Sequence, residues 1–351
     1  MKIRTILTLI LLALLFVSAC AAPTPAEPRT LTLMTHDSFA IGEAVLQAFE
    51  KANNVTVEHL PSGDTGAALN QAILSKANPL ADVFFGVDNS FFSRAIESGI
   101  FEPYPSPRLA EIPDALELDP QHRLLPVDFG DVCLNYDKAY FQEKGLNPPR
   151  ILQDLVKPEY KSLTVVENPA TSSPGLAFLM ATVGHFGQTG DYTYRDFWRD
   201  LRANDLLVTE GWEDAYWGQT TWYGGARPVV VSYAASPAAE VFFSEGELAE
   251  PPTANVLGDG ACFRQIEFVG ILKGTPNRDL AEKLVDFMLS AQFQEDIPLN
   301  MWMFPANESA ALPQVLVDFA QLPENPADVD PADIAAHREE WIEAWTEDVL
   351  R

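Results

Sequence analysis

The sequence predicts an α/β protein of two lobes, each a mostly parallel sheet flanked by helices. Three observations carry this expectation. Short apolar runs rich in β-formers alternate with amphipathic stretches along most of the chain, the pattern of strand–helix–strand units. Several of those runs, such as the one in Asp82 to Val87 (DVFFGV), are nearly continuous rather than alternating, as in parallel strands covered on both faces. At 351 residues the chain also exceeds the size at which a single core usually keeps growing.

Folding proper begins near Arg29. Leu31 to Met34 reads as a strand, and Ala40 to Ala52 as a helix turning Val45, Leu46 and Phe49 inward. Val55 to Leu60 gives the next strand, Ala67 to Lys76 a helix, Asp82 to Val87 a strand and Asn89 to Ser98 a helix. After the loop-rich Pro103 to Leu125 a second series starts, with strands at Asp131 to Tyr136 and Leu163 to Val166. Helices follow over Pro174 to Gly184, Tyr194 to Arg202 and Glu213 to Tyr223. Val229 to Tyr233 (VVVSY) is a strand, a helix opens at Ser236-Pro237, and Phe263 to Leu272 leads into a helix over Asp279 to Leu289. The last helix, Pro331 to Leu350, carries Trp341 and Trp345 one turn apart, a packing face. The expected division assigns 29–126 with 265–300 to the first lobe, and 127–264 with 301–351, including the last helix, to the second.

The N-terminus has its own logic. Lys2 and Arg4 precede an apolar run from Ile6 to Val17, which closes on Val17-Ser18-Ala19-Cys20. That run is too short to cross a ~30 Å hydrocarbon core, which takes about 20 helical residues, so 1–19 reads as a secretory leader. A cysteine directly after small residues resembles the bacterial lipobox. The resemblance implies that Cys20 carries lipid, the body's only hold on the membrane, outside the cytoplasm. Ala21 to Pro28 (AAPTPAEP) has three prolines and no large apolar residue, so residues 20–28 read as anchor and extended tether.

The formal net charge is −27, and becomes more negative without Lys2 and Arg4. Such a body repels nucleic acid and anionic lipid. With Cys20 assigned to the lipid, Cys133 and Cys262 remain, either one disulfide in an oxidising compartment or two buried thiols. Phosphate-binding loops, dinucleotide fingerprints, zinc-protease helices, hydrolase elbows and EF-hand loops are absent from the sequence. His36, His59, His122, His185 and His337 lack metal-ligand spacing. No catalysis, cofactor or metal site is expected.

Two strand-to-helix junctions stand out: Thr171-Ser172-Ser173-Pro174-Gly175 after the Leu163 strand, and Ser236-Pro237 after the Val229 strand. Each reads as a capping serine with proline in the first turn. Each is equally a helix mouth whose free N–H groups suit an anion at the carboxyl edge of a sheet. Trp212, Tyr233 and Trp302 lie beside these junctions or in polar surroundings, as core side chains or as faces for a flat cation, an arrangement that gains roughly 0.5 to 2 kcal/mol. Asp64, in Gly63-Asp64-Thr65-Gly66, either accepts hydrogen bonds from a ligand amine or caps the helix that follows.

Taken together, THDSFA (Thr35 to Ala40), ADVFFGVDN (Ala81 to Asn89), TSSPGL, TEGWEDAY (Thr209 to Tyr216), VSYAASPA, the segment Ile297 to Pro305 around Trp302 and the final REEWIEAW resemble the thiamine-binding subunits of bacterial ABC importers. The resemblance covers nearly the whole chain after the leader. It implies a periplasmic-binding-protein-like type II fold that closes on its ligand by hinge motion and delivers it to an ABC permease, as a monomer. Carried over, the family's site falls on Asp64, Thr65, Ser172, Ser173, Trp212, the run Tyr233, Ala234, Ala235 and Ser236, and Trp302. Rings would sandwich the heterocycles of thiamine, Asp64 would take the pyrimidine side, and the serine junctions would meet its hydroxyl or, in a thiamine phosphate, the phosphate. Two positions depart from that pattern: His36 stands where the family has Tyr in its first motif, and Ala239 where it has an aromatic. One side of the aromatic box is therefore expected to be thinner. Thiaminase I shares this fold and suggests an alternative, an enzyme with Cys133 as nucleophile and Glu267 as its acid/base partner. A third reading keeps the fold and exchanges the ligand for a polyamine or ferric ion, although the adjacent tyrosines of ferric-binding relatives are missing.

Overall fold

The computed structural model describes residues 27–63 and 65–351. The expected leader, the start of the tether, Cys20 and Asp64 lie outside the described residues. In chain order the elements are β1 (Arg29–Thr35), α1 (Glu43–Asn53), β2 (Val55–Pro61), α2 (Thr65–Leu74), β3 (Val83–Asp88), α3 (Phe92–Ser98), β4 (Phe101–Glu102) and β5 (Leu125–Asp137). Then come α4 (Lys138–Lys144), β6 (Thr164–Glu167), α5 (Ser173–Phe186), α6 (Tyr194–Ala203), β7 (Leu207–Thr209), β8 (Val229–Tyr233) and α7 (Ser236–Phe243). The chain ends with β9 (Thr253–Val256), β10 (Phe263–Leu272), α8 (Arg278–Met288), α9 (Ala291–Gln294), α10 (Ile297–Asn300), β11 (Phe304–Pro305), α11 (Gln314–Phe319) and α12 (Pro331–Leu350).

The strands form one mixed sheet in the order β2-β1-β3-β10-β5-β8-β6-β7, with β4, β9 and β11 attached at its sides. At one end β1 runs parallel to β2 and β3. At the other, β6 runs parallel to β7 and β8. Between these parallel sets the long strands β5 and β10 run antiparallel to each other and to their outer neighbours. Every residue of β3 is buried, which explains its unbroken apolar sequence.

β5 is longer than its apolar pattern suggests, because Asp128, Gly130 and Asp131 lie inside it. Tertiary pairing overrides their poor strand propensity. Asp131 accepts a two-pronged contact from Arg264 on β10 at 2.9 and 3.1 Å. Asp128 sits opposite Glu267. Cys133 and Cys262 are joined by a disulfide with Cα atoms 4.4 Å apart, tying β5 to the start of β10.

The expected helix over Glu213 to Tyr223 is instead one π-helical turn, Asp214–Gln219, followed by a tight turn at Thr221–Tyr223. Thr220 between them is extended and buried, and its hydroxyl donates to the Tyr216 carbonyl at 2.6 Å. That bond ends the first turn and redirects the chain. The last helix, α12, packs against both α6 and α3. Trp345 meets Trp198 edge to face at 5.6 Å, and Asp348 accepts from Arg195 and Arg199. Towards its other end, the Arg338 guanidinium lies 4.4 Å over the Phe91 ring. Trp198, Trp341 and Trp345 are among the largest fully buried side chains, as the spacing of the last two predicts.

Candidate functional site

The carboxyl ends of the strands and the helix mouths beside them enclose a cleft of about 820 Å³, within the range of small-molecule sites. It collects residues from distant parts of the chain: His36, Thr65, Ser172, Ser173, Trp212, Tyr233, Ser236 and Trp302 all line it. Ala234 and Ala235 do not. Ala234 is buried with Cys133 and Cys262, and Ala235 packs with Ala238, Phe304 and Leu316. The two alanines continue the run from Tyr233, but the turn into α7 points their methyls into the protein.

The serine junctions differ from each other. Ser172 caps α5, its hydroxyl oxygen accepting from the Gly175 N–H at 3.4 Å, with Pro174 in the first turn. Ser236 does not cap α7. Ala235 before it already has helical backbone angles, so the turn begins early and frees the Ser236 hydroxyl for other partners. That oxygen accepts from the Tyr233 N–H at 3.3 Å and pairs with the Ser232 hydroxyl at 2.9 Å. Ser232 in turn accepts from the Trp212 indole N–H at 2.9 Å. One hydroxyl pair thus orients the Trp212 ring against α7.

Trp212 stacks on Tyr216 at 4.8 Å with 20° between planes. Trp217 and Tyr223, whose rings are 4.5 Å apart, extend this wall. A second group of rings also borders the cleft: Trp302 contacts Phe242 and Phe243 at 5.4 and 5.3 Å. Trp302 has φ of 59°, a left-handed conformation that costs a non-glycine residue about 1 to 2 kcal/mol. The expected thinning at Ala239 is compensated: one helical turn on, Phe243 lines the same cleft. Tyr216, Trp217, Tyr223, Glu240 and Phe243 were not anticipated as lining residues. The crowding of rings between Trp212 and Tyr223 was the available signal: on a regular helix Trp212, Tyr216 and Tyr223 would already share a face, with Trp217 turned away from it.

At the cleft floor His36 Nε2 lies 3.2 Å from Glu267 Oε1. Its ring occupies space that only glycine at position 86 leaves open: Gly86 has φ of +103°, and a Cβ there would come within 2.2 Å of His36 Cδ2. Glu267 is flanked by Asp88 on β3 and Asp128 on β5. Burial pushes the Asp128 carboxyl well up, and the charge of Glu267 adds to this. Burial also acts on Glu267, but the charge of His36 and hydrogen bonding to His36 and Asp128 hold its carboxyl below the ordinary value. Asp88 is pushed up to about 6, chiefly by burial. The floor therefore holds one ionised carboxylate among acids that retain their protons more readily. A second carboxylate, Glu240, lines the side of the cleft. Among the described residues, no lysine or arginine lines it.

This geometry finds counterparts among known proteins. Residues 78–326 match the family described as bacterial extracellular solute-binding protein. A thiamine-binding periplasmic protein of Salmonella typhimurium is 31% identical over 337 residues, covering 95% of this chain and 97% of that one. Its namesake in Brucella suis is 30% identical over 358 residues, covering 98% of each. Among solved structures, a periplasmic thiamin binding protein superposes with a TM-score of 0.77 at 27% identity, covering 95% of this chain and 100% of that chain. A ferric binding protein from Campylobacter jejuni, with a TM-score of 0.73 at 18% identity, shares the fold. A family match over most of the chain, with relatives aligned end to end, leads to one conclusion: this chain belongs to the bacterial extracellular solute-binding proteins, with the type II periplasmic fold.

Proposed function

We propose that this protein captures thiamine, free or phosphorylated, in the cleft between two lobes and hands it to an ABC permease, anchored outside the cytoplasmic membrane through lipid on Cys20. The observation that carries the reading is the lining itself. Two groups of rings, around Trp212 and around Trp302, line the cleft together with the carboxylates of Glu240 and Glu267, and no lysine or arginine is found among the described lining residues. A flat, permanently cationic heterocycle suits such a lining, through ring stacking and cation–π attraction. The names of the end-to-end relatives support the same ligand.

In this reading Trp212 and Tyr216 take one face of the ligand, and Trp302 and Phe243 the other. Tyr233 closes the side, and Asp64, next to the lining residue Thr65, accepts from the aminopyrimidine. Ser172 and Ser173 at the mouth of α5 receive the hydroxyl or phosphate. The lobes are 29–126 with 265–300, and 127–264 with 301–351, hinged where β5 and β10 pass between the parallel sets. The protein performs no catalysis in this scheme: Cys133, bound to Cys262, offers no nucleophilic thiolate.

Calorimetry of the delipidated chain with thiamine, its mono- and diphosphate, and spermidine tests the reading. A thiamine Kd below roughly 100 μM is expected, corresponding to more than about 5 kcal/mol of binding free energy. Thiamine binding weaker than this, with spermidine bound tightly, would overturn it in favour of a polyamine carrier.

A further inference from the structure

Glu240 is a buried carboxylate beside the aromatic lining of the cleft. It lies on α7, 7% exposed, and lines the cleft. Oε1 accepts from the Tyr216 hydroxyl at 2.5 Å and Oε2 from the Thr253 hydroxyl at 2.7 Å. Both donors are neutral. Burial pushes the Glu240 carboxyl above the ordinary value, against the hydrogen bonds from Tyr216 and Thr253 and, last in influence, the charge of Lys138. Burying a carboxylate this way is costly, even with the Tyr216 hydroxyl and the Thr253 hydroxyl and backbone N–H donating to it. A cation in the cleft would offset that cost directly.

Its surroundings show where that opposite charge would sit. The phenol that donates to Glu240 belongs to the ring on which Trp212 stacks. Electron density pushed from the carboxylate through the Tyr216 hydroxyl makes that ring face more negative, and the carboxylate field adds to it. Glu267, the other lining carboxylate, is already matched by His36 at 3.2 Å. Glu240 has no such cation in contact among the described residues.

We propose that Glu240 is the specificity determinant by which this cleft selects a permanently charged heterocycle over an uncharged one of the same shape. Its carboxylate is the counter-charge behind the Trp212–Tyr216 stack, and acts on the ligand at short range in a site with few competing charges. The inference rests on the reading of the cleft as a thiamine site, and it concerns what sets the preference for the cation.

The test compares thiamine with the neutral isostere in which carbon replaces the quaternary thiazolium nitrogen, by calorimetry on the wild-type protein and on Glu240→Gln. The wild type is expected to prefer thiamine at least tenfold. Glu240→Gln is expected to lose about tenfold in thiamine affinity while binding the isostere within twofold of the wild type. Retained isostere binding also shows that the variant is folded. A wild type that binds both ligands equally overturns the inference without recourse to any variant. Equal losses for both ligands in Glu240→Gln overturn it too, since they reveal a structural role, and so does an unchanged thiamine affinity. In those three cases thiamine binding by the wild type, and with it the proposed function, stands. Failure of the wild type to bind thiamine at all overturns both.

Discussion

Trp212 and Trp302, which line the cleft, differ from the fully buried tryptophans in what holds them. Trp198, Trp341 and Trp345 are each at most 1% exposed, the first and last meeting edge to face and Trp341 donating its indole N–H to Gln188. Trp212 and Trp302 are only half-buried and present ring faces to the cleft. Trp212 is held by one indole hydrogen bond and one stack, and Trp302 by a strained backbone and the Phe242–Phe243 pair. Trp212→Ala and Trp302→Ala are each expected to weaken thiamine binding at least tenfold, about 1.4 kcal/mol, and to leave the circular dichroism spectrum and the unfolding transition nearly unchanged. Unfolding of both variants would show that these rings are core, and would remove them from the site. The sequence marked Trp212 by its place beside the serine junctions and Trp302 by its polar flanks. It could not mark Phe243, whose role follows only from the helical turn that places it beyond Ala239.

Between elements, the row Asp88, Glu267 and Asp128 across β3, β10 and β5 couples the centre of the sheet to pH. Asp88 has an ordinary value of 3.8 and is pushed up to about 6 in the folded chain, first by burial and then by the charge of Glu267, against hydrogen bonds from Ser90 and Gln265. Between those two values the folded chain binds more protons at this site than the unfolded chain. The site's contribution to stability is therefore fully present at low pH, and is lost as pH rises through about 6. Asp88→Asn removes that loss. Its stability relative to the wild type is expected to be about 2 kcal/mol more favourable at pH 7 than at pH 4, read from urea midpoints at the two pH values. A difference that does not change with pH would show that Asp88 does not titrate in this window. The sequence placed Glu267 within its segment, but left Asp88 one residue beyond the expected Asp82 to Val87 strand and Asp128 before the expected Asp131 to Tyr136 strand, because an acidic residue at the edge of an apolar run reads as a boundary until its cross-strand partner is known.

At the scale of the molecule, the disulfide links positions 129 residues apart, one on β5 and the other immediately before β10. A loop of that length is worth about 5 kcal/mol in the chain-entropy account, with 2 to 5 kcal/mol the usual loss on removal. The double variant Cys133→Ser, Cys262→Ser is expected to lower the urea unfolding midpoint accordingly. Thiol titration of the unfolded, unreduced wild type is expected to find neither cysteine reactive, and two reactive thiols would refute the bridge. The α/β class, most elements, the final helix and the residues of the two junctions were legible in the sequence, because hydrophobic periodicity, capping chemistry and proline placement are local. The resemblance to thiamine-binding subunits was carried by short motifs in order, which also survive in one dimension. Tertiary structure alone decided the rest: that one sheet runs through both parallel sets on shared antiparallel strands, that α12 touches helices from both parts of the chain, that Ser236 braces Trp212 instead of capping, and that Glu240 reaches the cleft. Each of these depends on contacts between residues far apart in the chain, where pairing and burial outweigh local propensity.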